Sequence, residues 1–466
     1  MRTSRRWTTV AASATVGALL FAACAPGGDG EDAVIDLEDT ADEPAEAADD
    51  TEAPDEEPPP ADDEADEIVV GFITSMTGAV AASGLGQLHG FELYLELHDN
   101  SLGGRTVDFH AEDDDGTPDQ GVEAARRLVE SVEVDFIVGP LLGNVGLAIG
   151  DYLEGVDTPQ FYTIPASDQF LRGKPDALFM GGGTAAQSSH PLGEYIYNDL
   201  GYERAVVFCQ DYAYGHELCG GAVNTFADQG GEIVERIYAP LGTADYAPFV
   251  TEMQGLDFDV VINALVGADS IVLQRTMDDF GMGDTPLLGN LNSMDQSIVR
   301  EVGDSVLGRQ SAGPFAEGAQ NDATVQFVQA YEEQFGEIPT ATAAAGYFAG
   351  EWIDAALHEL GGSFTTSDEF IDALLSVEIE DSVFGPITID EHGNIVFREV
   401  HLREVQERDD GAIWNVPIAT LAEDVGPTYY YDYDAYLAQP PYTPDYVGED
   451  WPTDCDAFVG PCPLDQ

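Results

Sequence analysis

Lysine is almost missing from this sequence. Lys174 is the only one, and the chain's 16 basic residues face 88 acidic ones, a formal net charge of −72. A surface this acidic repels phosphate backbones and anionic lipid headgroups, which excludes nucleic acid as a partner. The imbalance is not confined to one segment, because from Ile68 onward 68 acids still stand against 13 bases. Asp and Glu in such excess, with so little lysine, match adaptation to high salt, where screening relieves self-repulsion. Histidine is also sparse: the eight residues are scattered, without the close His-x-x-x-His spacing that would argue for zinc. No G-x-S-x-G supplies a nucleophile elbow. The nearest approach to a dinucleotide fingerprint, Gly84 to Gly90, reads G-x-G-x-x-x-G and lies well past the preceding strand instead of in its tight turn. Neither a metal nor a cofactor is expected, and no catalytic residue is assigned.

What the chain does contain begins with an export signal. Arg2, Arg5 and Arg6 precede an apolar run from Val10 to Ala23, too short for a comfortable membrane span, that ends in small residues before Cys24. Leu20 to Cys24 resembles the bacterial lipobox, with Phe21 where that motif usually has leucine. Residues 1–23 are thus read as a lipoprotein signal peptide and Cys24 as the acylated first residue of the mature chain, anchored at the outer face of the cytoplasmic membrane. Residues 24–67 are Asp, Glu, Ala and Pro with almost no apolar content, the composition of an extended, disordered tether. Four further cysteines form two close-spaced pairs, Cys209 with Cys219 and Cys455 with Cys462. In an exported chain these favour local disulfides over metal ligation.

From Ile68 apolar strand runs alternate with amphipathic helical stretches, the pattern of βαβ units on a parallel sheet. Strands are expected at Ile68–Ile73, Val107–His110, Val134–Val138 and Gln160–Ile164, with helices between them. A second series starts near Ser188 and adds strands at Ala205–Phe208, Glu232–Ile237, Val260–Ala264 and Pro286–Gly289. Helices at Asp322–Phe335 and Ala343–Leu360 and a strand pair around Asp390–Asn394 follow. The two small-residue turns Gly139–Asn144 and Pro165–Ser167 close consecutive strands, which is where ligands bind in open α/β sheets. Glu112–Gly116 resembles a calcium loop only loosely, since counting back from Gly116 puts Ala111 at the first ligand place, and a solvated turn is expected. Ser188-Ser189-His190 is expected to cap a helix and not to form a triad.

Taken in order, several segments resemble the type I solute-binding lipoproteins of ABC transporters, the group with branched-chain amino acid, amide, urea and aromatic-acid binders. They are Gly71-Phe72-Ile73 with Thr77-Gly78, Ala111-Glu112-Asp113-Asp114, Ile137-Val138-Gly139-Pro140, Asp211-Tyr212-Ala213-Tyr214-Gly215, Ala244-Asp245-Tyr246 and Phe384 to Asp390. The resemblance implies an α/β fold with two doubly wound parallel-sheet lobes joined by three hinge crossings. One lobe would hold residues 68–186 and 316–380 and the other 187–315 and 381–425, leaving 426–466 as an aromatic, acidic C-terminal tail. It implies a monomeric receptor, not an enzyme, that closes on a small polar solute (amino acid, amide, urea-like or carboxylate) and delivers it to an ABC permease. A sensory receptor of the same fold is the alternative. The ligand-binding positions carried over are Ser83, Gly143, Asn144, Ala166, Ser167, Gln187, Tyr214, Asn290 and Asn292. The place of the acid that pairs with an amino acid's ammonium group falls near Leu291, where there is no carboxylate, and this argues against an α-amino acid.

Overall fold

The computed structural model describes residues 67–446 apart from 79, 165, 166, 174 and 175. The leader, Cys24, most of the acidic segment, Ala166, and the Cys455–Cys462 pair lie outside the described residues. Two sheets organise the rest. The first runs through β1 (Glu67–Thr74), β2 (Ser101–Leu102), β3 (Arg105–Asp113), β4 (Phe136–Val138), β5 (Gln160–Tyr162) and β6 (Leu178–Met180), in the spatial order β2-β3-β1-β4-β5-β6. All its pairings are parallel except the short β2 against β3. Ile68, Val70, Phe72 and Ile73 are fully buried, as expected of a central strand covered on both faces.

The second sheet holds β7 (Arg204–Gln210), β8 (Glu232–Ala239), β9 (Val260–Ala264), β10 (Leu287–Asn290), β11 (Gln310–Gly313), β12 (Ile379–Ser382), β13 (Gly385–Ile389), β14 (Ile395–Glu407) and β15 (Ile413–Val425). Its order is β12-β13-β14-β11-β10-β9-β7-β8, with β15 alongside β14. The β7 to β11 core is parallel, while β12 to β15 add antiparallel strands that the sequence reading only half anticipated. The chain passes from the first sheet to the second between β6 and β7. After β11 it returns, and the helix Ala341–Glu359 packs on the helix Ala81–Leu97 beside the first sheet. It then rejoins the second sheet at β12. This is the two-lobed α/β arrangement with parallel sheets.

The glycines of the false dinucleotide signature explain the helix pair. A Cβ on Gly90 would sit 1.9 Å from the Ala343 carbonyl oxygen, and one on Gly346 would sit 1.9 Å from that of Gln87. Glycine lets the two backbones touch, so the motif is a packing seam.

Five strands escape the periodicity reading, β2 and β12 among them because they are short. β6 is three residues long, β11 is Gln-Ser-Ala-Gly, and β15 carries Pro417 and register shifts against β14 that blur its alternation. The turn expected to be solvated is instead tied down. Asp114 is buried and accepts from Ser75 Oγ at 2.6 Å and the Gly116 N–H at 2.8 Å, while Asp113 accepts from the Met76 N–H at 2.9 Å. Ser189 holds the N-cap position of the helix His190–Asn198 but makes no capping bond. His190 is buried, with Nδ1 3.1 Å from the Gly221 carbonyl oxygen, and burial pushes its pKa down to about 4. The C-terminal segment 426–446 is packed: Tyr431, Tyr436 and Tyr442 form a buried cluster with Ala186.

Candidate functional site: a cleft ringed by helix N-termini

The loops at the carboxyl ends of β4, β5, β7, β9 and β10 and the starts of two lobe-one helices meet in a cleft of about 110 Å³. Its walls are mainly apolar and aromatic: Val80, Leu141, Leu142, Ile164, Val266, Tyr212 and Tyr214. Ser83, Gly143, Asn292, Asp295, Ser297 and Thr342 supply the polar atoms. An adjoining void of about 30 Å³ shares Ile164, Asn292 and Thr342 and is floored by Phe384 and Phe397. A larger groove, about 530 Å³, lies elsewhere, where Gln160 and Leu178 begin their strands beside Asp157 and Asp176. It faces away from the loops that carry ligands in this architecture, so the smaller cleft is the better candidate.

Four helices begin at this cleft with a cap residue that gives no side-chain hydrogen bond. They are Ala81–Leu97 after Val80, Gly143–Leu153 after Leu142, Ala213–Asp228 after Tyr212, and Gly267–Asp279 after Val266. All four cap residues line the cleft. Elsewhere the caps are mixed: Thr117, Thr366 and Asp432 cap with a side chain, whereas Ser189, Tyr246 and Asn321 do not. A helix start left without a side-chain cap keeps its first N–H groups and the positive end of its dipole for whatever occupies the space in front of it. The lining contains no Arg or Lys among the described residues, so these N–H groups are its main source of positive potential.

One carboxylate lines the cleft, and the sequence reading missed it. Asp295 accepts from the Ser297 N–H at 3.0 Å, from Ser297 Oγ at 2.6 Å and, through Oδ2, from the Ala341 N–H at 2.9 Å. It caps its own helix and the start of the helix Ala341–Glu359, so its oxygens are engaged by the protein. Asn292 Nδ2 donates to Tyr214 Oη, joining two expected site residues. Burial pushes the Tyr214 phenol well above its ordinary value, which keeps it a neutral hydrogen-bonding group.

The nine expected positions divide accordingly. Ser83, Gly143, Tyr214 and Asn292 line the cleft. Asn144 is exposed and outside the lining. Ser167 is buried and donates from Oγ to Glu217 Oε1 at 2.6 Å. Gln187 is committed to the fold, donating to the carbonyl oxygens of Ile395 at 2.8 Å and Val425 at 2.7 Å. Asn290 folds its Oδ1 back onto the N–H groups of Asn292 at 2.9 Å and Ser293 at 3.1 Å, holding the turn that presents Asn292. Tyr212, Thr342 and Asp295 are additional lining residues. Tyr212 was within reach of the sequence reading, since it shares the Asp-x-x-Tyr-Gly turn with Tyr214; Thr342 had no comparable signal.

The Asn292 loop has a hidden anchor. Arg403 on β14 is fully buried and donates to the carbonyl oxygens of Leu291 at 3.2 Å, Met294 at 3.4 Å and Phe315 at 3.0 Å, and to Ser311 Oγ. Glu317 lies close enough to interact with it electrostatically, yet burial still pushes that carboxyl up to about 7.

Set against known proteins, the sequence profile of the periplasmic binding proteins matches residues 67–412. The chain belongs to that family. A Leu/Ile/Val-binding protein homolog 6 of Brucella melitensis is 23% identical over 368 residues, covering 78% of this chain and 94% of the relative. A solute-binding protein of an ABC transporter from Rhodopseudomonas palustris, solved with 3,4-dihydroxybenzoic acid, superposes with a TM-score of 0.72 at 26% identity, covering 78% of this chain and 99% of its own. An ABC transporter substrate-binding protein from Sphaerobacter thermophilus gives 0.71 at 28% identity with the same coverage. In this periplasmic binding protein, loops of both lobes line the cleft. Among the described residues no helix is long and apolar enough to cross a membrane. Cys209 and Cys219 form a disulfide with Cα atoms 5.7 Å apart.

Proposed function

We propose that this protein is an exported receptor, without catalysis of its own, that closes its lobes on a small organic carboxylate with an apolar or aromatic body. The solute is handed to an ABC permease at the membrane where a lipid on Cys24 holds the chain. The observation that carries this reading is the ring of four helix N-termini without side-chain caps around a cleft that lacks basic side chains. Backbone N–H groups at helix starts favour an anion, and a carboxylate is the anion of suitable size. The apolar and aromatic walls suit a hydrophobic body next to that group. An α-amino acid would also need a partner for its ammonium group, and Asp295, the one lining acid, is already held by three donors. The relative solved with 3,4-dihydroxybenzoic acid supports the same class.

A thermal-shift screen of the purified protein in high salt tests it. Benzoate and its hydroxylated derivatives are expected to raise the melting temperature, since a solute at 100 times its Kd adds about 2.7 kcal/mol to the folded state. Leucine, isoleucine, valine, urea and simple amides are expected to leave it unchanged. A shift with leucine and none with any carboxylate would overturn the assignment.

A further inference from the structure

Beside the cleft, two carboxylates from opposite lobes are buried together. Asp168 follows β5 of the first sheet, and Glu217 lies on the helix Ala213–Asp228 after β7 of the second. Both are nearly inaccessible, at 1% exposure each. They are bound by hydroxyls: Glu217 Oε1 accepts from Ser167 Oγ at 2.6 Å, and Asp168 Oδ2 accepts from Tyr436 Oη at 2.7 Å. Tyr436 belongs to the C-terminal segment, beyond the last residue, 412, that the family profile matches. The nearest cation, Arg172, spends one N–H on the Leu437 carbonyl oxygen at 2.7 Å. The other titratable groups around the pair are phenols: Tyr162 from the first lobe, Tyr212 and Tyr214 from the second, and Tyr442 from the C-terminal segment. Burial pushes every one of these phenols upward, so they stay neutral.

We propose that Glu217, buried against the Ser167–Asp168 turn of the other lobe, is a positioning residue whose protonation links the closing of the two lobes to pH. The proposal concerns regulation of the cleft and rests on the reading that a solute is bound between the lobes. Two neighbouring carboxylates held away from water resist ionising together, so the closed arrangement favours keeping a proton on Glu217. Separating the lobes restores water to both groups and lets that proton leave. The direction agrees with their surroundings: burial raises both carboxyls, Asp168 to about 6, and the Asp168 charge adds to the upward push on Glu217. For acids raised in the closed form, the stabilisation is present at low pH and is lost as pH rises through the closed-state value. Ser167 and Asp168 sit on the turn next to Ile164, and Glu217 stands one helical turn after Tyr214, so the contact ties together two walls of the cleft.

Two measurements on the full chain test this. Without added solute, hydrogen exchange corrected for its intrinsic pH dependence is followed from pH 5 to pH 8 in peptides covering Ser167–Leu171 and Ala213–Leu218. Protection is expected to fall with rising pH in the wild type and to fall distinctly less in Glu217→Gln, whose neutral amide imitates the protonated acid. With a solute taken from the thermal screen, affinity is expected to weaken by up to about tenfold per pH unit as pH rises from the ordinary carboxyl range toward the raised closed-state values, as one linked proton requires. That slope should be clearly shallower in Glu217→Gln, where only Asp168 still titrates. A wild-type exchange profile independent of pH, or the same slope in Glu217→Gln, would overturn the proposal. Failure of the screen itself would remove the carboxylate assignment and leave the exchange measurement to decide this one.

Discussion

Arg403 shows how much a single side chain can organise without touching the cleft. It reaches from β14 to the carbonyl oxygens of three loop residues and holds the turn that presents Asn292 to Tyr214. Removing one member of a buried, charged hydrogen-bond network leaves its partners unsatisfied, at a cost of about 3–5 kcal/mol. Arg403→Ala is expected to lose that much stability in denaturant unfolding and to lower solute affinity as the Asn292 loop relaxes. Nothing in the sequence marks Arg403 or Glu217 as buried. Each is a charge beside apolar neighbours, Leu402 and Val405 around Arg403 and Leu218 and Cys219 after Glu217, but the hydrogen-bond partners it meets when buried come from segments distant in the chain. Tyr214 and Asn292 were legible because a turn motif and the order of elements located them. Ser167 and Gln187 were placed in the right neighbourhoods, but their polar atoms were taken by contacts that only tertiary packing creates.

At the scale of the element, the helix starts are what connect fold to function. Val80, Leu142, Tyr212 and Val266 are poor N-caps by chemistry, and a sequence reader counts them as weak helix boundaries. Apolar periodicity alone starts two of these helices at Gln87 and Leu218, whereas they begin at Ala81 and Ala213. A weak cap leaves donors available, so what blurs the boundary is also what the proposed carboxylate would use. Supplying the missing cap separates the two effects. Val266→Ser is expected to stabilise the helix Gly267–Asp279 by about 0.5–1 kcal/mol, read from the unfolding midpoint. It is expected at the same time to weaken carboxylate binding in titration calorimetry, because the new hydroxyl takes up an N–H group the solute would use. The long strands and long helices were legible from their periodicity, whereas β6, β11 and β15 were hidden by brevity, polarity or a proline.

Over the whole molecule, charge dominates. With 68 acids against 13 bases from Ile68 onward, self-repulsion opposes the compact state and falls as counterions screen it. Exposed ion pairs such as Arg300 with Glu337 do little to offset this. The melting temperature is expected to rise steadily with KCl concentration up to molar levels; a flat or falling curve in differential scanning calorimetry would contradict that. The same screening should also strengthen binding of an anionic solute, because the acidic surface repels it at long range while the helix termini act at contact distance.

The Cys209–Cys219 bridge spans ten positions in sequence, and Tyr212 and Tyr214 both lie inside it. Two aromatic walls of the cleft are therefore mounted on one covalent ring, and closing a ring of about that size is worth roughly 3 kcal/mol against the open chain. A thiol reductant is expected to free both tyrosines together, visible as a change in near-ultraviolet circular dichroism that accompanies weaker binding. Within a reducing cytoplasm the ring would stay open, so the receptor would acquire its full grip only after export.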